Sequence, residues 1–221
     1  MNPISIAVAC LVTTPGLTPP PFSPQDANES NVDLQRKAEA IYKGCIQLMR
    51  FSLRGARKMT SRVHLNPLWA VAETNTLESP FWSDLPVVPQ GSDLRALFAD
   101  LRTMNEAVIF VTPHSPMLRP SLLVEAAEKL AAGTSDVVGR SKTEKVYLWG
   151  SRNLSSSGRS EKRDDGVVTT LDQLIPASLK GDLPQIFLFE RAGDLSNISN
   201  LLTTADGEWA RALQEQLGPF A

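Results

Sequence analysis

Residues 107–139 read AVIFVTPHSPMLRPSLLVEAAEKLAAGTSDVVG. The run 107–111 is short, wholly apolar and β-rich, which is the pattern of a strand buried on both faces. It ends in a proline-punctuated loop, Thr112-Pro113-His114-Ser115-Pro116-Met117-Leu118. Pro120 then suits the first turn of a helix, with Leu122, Leu123, Ala126, Ala127 and Leu130 at helical spacing and Gly133 as its stop. A second short strand follows at 136–138. In open α/β sheets ligands bind just beyond the carboxyl ends of the strands, so the loop 112–118 is where chemistry is expected, and His114 is its one strongly functional side chain.

The same alternation extends in both directions. Residues 4–12 read as a buried first strand, closed by Thr13-Thr14-Pro15-Gly16. A proline-rich loop covers 17–30, and Asp33 caps a helix over 33–52 with Leu34, Ala38, Ile41, Cys45, Leu48 and Met49 on its apolar stripe. Further strands are expected at 68–72, 85–88, 145–149 and 186–189. Helices are expected from Ser92 or Asp93 to 104, over 170–179, from Asp194 onward and over 209–217. Strands alternating with helices argue an α/β fold with a mostly parallel sheet. Residues 1–221 are expected to form a single domain, in which the polar, Ser-rich and charged stretch 151–166 is a mobile loop.

Bulk properties exclude several function classes. A net charge of −2 gives no global attraction to nucleic acid or to an anionic membrane. No run reaches the ~18 apolar residues of a membrane span. The first apolar run lacks a basic n-region, so it reads as a strand rather than a signal peptide, and a cytoplasmic location is expected. The two cysteines, Cys10 and Cys45, sit in apolar surroundings and read as small buried hydrophobes. The sequence holds no G-x-G-x-x-G, P-loop or G-x-S-x-G motif and no zinc-type spacing. Residues 50–62 carry Arg50, Arg54, Arg57, Lys58 and Arg62 without an acid. They read as a solvated helix end or as a face for an acidic or phosphate-bearing partner.

In their order, these loops resemble a bacterial glycosyltransferase-like family with a nucleotide-diphospho-sugar-transferase (GT-A-like), Rossmann-like three-layer fold, related to molybdopterin guanylyltransferase. That family opens with a strand and K-x-P-x-x-G-x-x-K-T-R, where this chain has Thr13, Thr14, Pro15 and Gly16 but no basic residue. Its Q-G-x-G-D-L-G-x-R is matched by Gln90-Gly91-Ser92-Asp93-Leu94-Arg95, one residue shorter. Its G-[ST]-D-x-P-x-L-[TS]-P falls on Thr112 to Pro120, with His114 in place of the acid. Its D-x-D-T-x-x-D-L falls on Glu190-Arg191-Ala192-Gly193-Asp194-Leu195.

The resemblance implies a nucleotide or nucleotide-sugar ligand held by Thr13, Thr14, Pro15, Gly16, Gln90, Gly91 and Asp93. It implies His114, Glu190 and Asp194 as the catalytic group, and Mg²⁺ or Mn²⁺ as cofactor if the protein is active, with His114 at the metal position. The substitutions fall on the charges that such chemistry uses. The acid replaced by His114 would hold the cation on the donor diphosphate, and imidazole suits Mg²⁺ poorly. Three functions follow as expectations: a diverged transferase-like protein with weak or lost catalysis; an active metal-dependent transferase with a substituted site, closed by the loop 151–166; or a non-enzymatic protein that binds a partner through residues 50–62.

Overall fold

A computed structural model describes residues 3–17, 32–154, 170–175 and 179–221. Its centre is a six-stranded sheet in the order β3-β2-β1-β4-β6-β5. The strands are β1 (Ile4–Val12), β2 (Val63–Val71), β3 (Val87–Pro89), β4 (Ala107–Val111), β5 (Asp136–Arg140) and β6 (Val146–Ser151). β1 pairs in parallel with β2 over its full length, Ile4 opposite Val63 through Val12 opposite Val71. On its other edge it pairs in parallel with β4, Ile6 opposite Ala107. β6 runs antiparallel to both β4 and β5. The mostly parallel α/β sheet expected from the sequence is therefore present, with one reversed strand.

Helices cover both faces. Side chains alternate across β1, so Ile6, Val8, Cys10 and Val12 meet α1 (Val32–Met59), α3 (Pro120–Ala131), α5 (Ile198–Thr204) and α6 (Gly207–Leu217). Ala7 and Ala9 face the opposite layer, built from α2 (Leu94–Arg102) and α4 (Leu171–Leu174). Cys10 and Cys45 are buried and unbonded to each other, as expected, and burial pushes both thiols up. Among the described residues no helix is long and apolar enough to cross a membrane.

Several boundaries differ from the sequence expectation. α1 runs on to Met59 rather than ending near residue 52, because Ser52, Leu53 and Ala56 continue its buried stripe. β2 begins at Val63, not at 68, so Pro67 lies inside a strand. The N–H of Trp69 points toward β3 and donates to Pro86 O at 2.9 Å. Pro67 shares that side, and β3 pairs only from Trp69 onward, so the missing proline N–H breaks no ladder bond. β3 and β6 are each offset by a residue or two. The strand expected at 186–189 is reduced to one parallel bridge between Ser141 and Ile186. That segment is instead pinned singly, by Phe189 N–H to His114 O at 3.0 Å and by Tyr147 Oη to Pro184 O at 2.7 Å. The helix expected over 170–179 spans only Leu171–Leu174. The stretch from Asp194 is a 3₁₀ turn, Ala192–Asn197, before α5. Of the loop 151–166, Ser151 closes β6, and residues 155–166 lie outside those described.

Of the basic residues expected at 50–62, Arg50 alone is turned inward, and Arg54, Arg57, Lys58 and Arg62 are exposed. Arg50 Nε donates to Asp84 Oδ1 at 3.1 Å, with both side chains under 15% exposed. Its guanidinium also stacks over Phe81 at 4.7 Å and Trp69 at 5.6 Å. Trp69 Nε1 donates to the same Asp84 oxygen at 3.0 Å, and Arg54 lies 3.5 Å from the other. Asp84 therefore ties α1 to the end of β2. Removing one partner of a buried pair leaves the other charge uncompensated. Asp84→Ala is expected to cost about 3 kcal/mol in urea denaturation, and Asp84→Asn less, because it keeps an acceptor for Trp69.

Candidate functional site

The carboxyl ends of β1 and β4 part at the point where the chain order reverses. From β1 the chain goes through α1 to β2 on one side, and from β3 through α2 to β4 on the other. A cleft of about 400 Å³ opens there, within the roughly 300–1,000 Å³ of small-molecule sites. Four separate loops bring Thr13, Gln90, His114 and Glu190 to its wall. All four are residues singled out by the sequence. Leu11, Val12, Pro113, Val146, Leu171 and Phe189 supply the apolar lining, and Tyr42, Thr112, Lys145, Thr170 and Asp172 add to the polar part.

The first loop is held by contacts the sequence did not reveal. Tyr42, on α1, receives the Thr13 N–H at 3.1 Å and lies 3.2 Å from the Thr13 hydroxyl. Thr14 N–H donates to Glu73 Oε2 at 2.7 Å, and its hydroxyl meets that of Thr76 at 2.6 Å. Gly16 sits at φ +88°, a conformation that explains the Pro15-Gly16 turn. Thr14, Pro15 and Gly16 do not line the cleft. Gly91 and Asp93 do not line it either: Gly91 turns at φ +70°, and Asp93 caps α2 by accepting the Arg95 N–H at 2.9 Å.

The proposed catalytic trio is split. His114 lies half-buried on the wall, and its ring makes no hydrogen bond among the described residues. Burial lowers its pKa from the usual 6.5 to about 4, against a smaller upward pull from Asp172. The ring is therefore neutral near pH 7. Glu190 accepts from the Ser141 hydroxyl at 3.0 Å and from the Thr143 hydroxyl. Asp194 turns away: its Oδ2 accepts the backbone N–H groups of Glu190 at 2.9 Å and Arg191 at 3.0 Å. Its place is the start of the 3₁₀ turn, where a carboxylate satisfies orphan donors.

These residues do not fit a divalent cation. Among the described residues no three His, Cys, Asp or Glu side chains come together as a metal-holding group. His114 as a metal ligand thus lacks the carboxylate and water-oxygen company that Mg²⁺ or Mn²⁺ requires. Nor is there an unpaired cation for phosphate among the described lining residues. Lys145 Nζ lies 3.7 Å from Asp172 Oδ2, while Asp172 Oδ1 accepts the Val146 N–H at 3.0 Å.

No protein-family model matches the chain, and no curated protein matches it. Among solved structures, a protein of Desulfovibrio desulfuricans G20, provisionally assigned as a nucleotide-diphospho-sugar transferase, matches with TM-score 0.49 and 18% identity. The match covers 66% of this chain and 63% of that one. Rv0371c of Mycobacterium tuberculosis H37Rv matches with TM-score 0.41 and 16% identity, over 97% of this chain and 100% of that one. At these values neither likeness assigns an activity to this chain.

The depressed pKa of His114 couples folding to pH. Above about pH 6.5 the ring is neutral both folded and unfolded. As pH falls from there toward 4, the unfolded chain takes up a proton that the folded chain refuses. Stability drops by about 1 kcal/mol per pH unit over that window. Urea denaturation of the wild type and of His114→Asn between pH 7 and pH 4.5 is expected to show the wild type losing more, by about 2 kcal/mol. Parallel profiles would show that burial leaves His114 unperturbed.

Proposed function

We propose that this protein is a diverged, glycosyltransferase-like protein that binds a nucleotide or nucleotide-sugar, with weak or lost transferase catalysis. One observation carries the reading: the loops that resemble the nucleotide-diphospho-sugar transferase family each send a residue, Thr13, Gln90, His114 and Glu190, to one cleft at the sheet's switch point. The order of those loops in the sequence supports the ligand class, and the cleft supplies a place of suitable size for it.

The chemistry of the same residues argues against efficient transfer. Diphosphate leaving groups need charge neutralisation as the bond breaks, commonly from a divalent cation. Here the acid of the middle motif is His114, Asp194 serves as a cap, and Glu190 is engaged by two hydroxyls. A neutral imidazole with a pKa of about 4 can give or take a hydrogen bond to a ligand hydroxyl, but it is a weak general base at neutral pH. What this chain's residues retain is positioning: Tyr42 and Glu73 fix the first loop, and Phe189 fixes the carbonyl beside His114.

A thermal-shift panel of nucleoside diphosphates and their sugars tests the reading. At least one member is expected to raise the melting temperature by several degrees at saturation, consistent with the stabilisation any native-state ligand confers. Sugar transfer and hydrolysis are expected to stay at background with Mg²⁺ or Mn²⁺ added. An unchanged melting temperature across the panel would sink the ligand class. Robust metal-dependent turnover would overturn the loss of catalysis.

A further inference from the structure

We infer that the cleft selects against charge: it takes an uncharged, ring-bearing ligand or ligand portion with hydrogen-bonding edges, of nucleoside type, and gains nothing from phosphates or a divalent cation. The inference rests on the reading of this cleft as the nucleotide-type site, and it departs from what that resemblance implies about phosphate and metal.

Three observations point the same way. First, the described charged groups on the wall are one cation and two carboxylates, Lys145 against Asp172 and Glu190. Lys145 lies 3.7 Å from Asp172, and with Glu190 the described wall is net negative, so an entering diphosphate would meet like charge. Desolvating phosphate oxygens without a partner is strongly unfavourable. Second, the lining beside Thr13 and His114 is apolar, Leu11, Val12 and Pro113, a surface that suits a planar or puckered ring. Third, three neutral polar side chains on the wall, Gln90, Thr112 and His114, make no side-chain hydrogen bond among the described residues. Gln90 carries both a donor and an acceptor, which matches the edge of a base, and a neutral imidazole can pair with a sugar hydroxyl. Among the described residues, the unpartnered hydrogen-bonding groups of the cleft are thus neutral, while its charges are paired or hydrogen-bonded.

Asp172 is a positioning residue in this account. It adds negative charge to the wall beside Lys145 and anchors the start of β6 through the Val146 N–H. Asp172→Asn keeps the acceptor for that N–H and releases the lysine.

Isothermal titration calorimetry of the full chain with the common ribonucleosides and their 5′-diphosphates, with and without Mg²⁺, tests the inference. At least one nucleoside is expected to bind, with its diphosphate at least about tenfold weaker and Mg²⁺ without effect. Gln90→Leu is expected to weaken nucleoside and diphosphate alike. Asp172→Asn is expected to tighten the diphosphate relative to the nucleoside by roughly tenfold. A diphosphate that binds as tightly as its nucleoside or more tightly in the wild type, or only with Mg²⁺, would overturn the inference and leave the proposed function standing. Failure of every nucleoside and diphosphate to bind would remove both.

Discussion

The parallel pairing of β1 on both of its edges is the constraint from which the rest of the structure follows. Nine residues of β1 pair with β2 on one edge, and residues 6–10 pair with β4 on the other. Where both edges are paired, at residues 6–10, the strand exposes neither edge nor face, so its sequence there is apolar. Residues 6–10 are all buried. The small Ala7 and Ala9 face the α2 and α4 layer, and the larger Ile6 and Val8 face α1 and α3. Because the chain leaves β1 for β2 and returns at β4, helices are drawn to opposite faces and the loops after β1 and β4 diverge. The cleft is the space that divergence leaves.

The cleft separates two properties that a transferase site combines. Its location is that of a ligand site in an open α/β sheet. Its electrostatics are not those of a phosphate site. The carboxylates that the chain retains near it are spent on structure: Asp93 and Asp194 on helix starts, Glu73 on the Thr14 N–H and Glu190 on two hydroxyls. Each of those bonds is an ordinary use of a carboxylate near a loop. His114 fits the same picture. A charged group at that position would face a high desolvation cost without a metal, and a neutral ring does not.

The sequence disclosed the sheet far better than it disclosed the site. β1, β4 and α3 were legible because each is a short uniform apolar run or a strong 3.6-residue stripe bounded by proline or glycine. The first half of β2 was hidden by Pro67, which is tolerable only because β3 starts two residues later, and that is a tertiary fact. The segment 186–189 looks like a strand because Ile186, Leu188 and Phe189 are buried, yet single anchors rather than a ladder hold it. At the site, the loop residues found by motif order, Thr13, Gln90, His114 and Glu190, do converge. Gly91, Asp93 and Asp194 do not, because the same Gly, Asp and Ser types serve turns and caps. Tyr42, Asp172 and Lys145 were missed. Tyr42 carried a weak signal, a polar-tipped aromatic within an apolar helical stripe; Asp172 and Lys145 meet only through the packing of α4 on β6.

A crystal structure of the protein soaked with a nucleoside tests the central claim most directly, because it reads position and ligation together. The account predicts density for the nucleoside in the cleft between β1 and β4, with the base or ribose within hydrogen-bonding distance of Gln90 and His114 and no cation beside Glu190. A nucleoside bound elsewhere on the molecule, or a divalent ion held by His114 and Glu190, would contradict it.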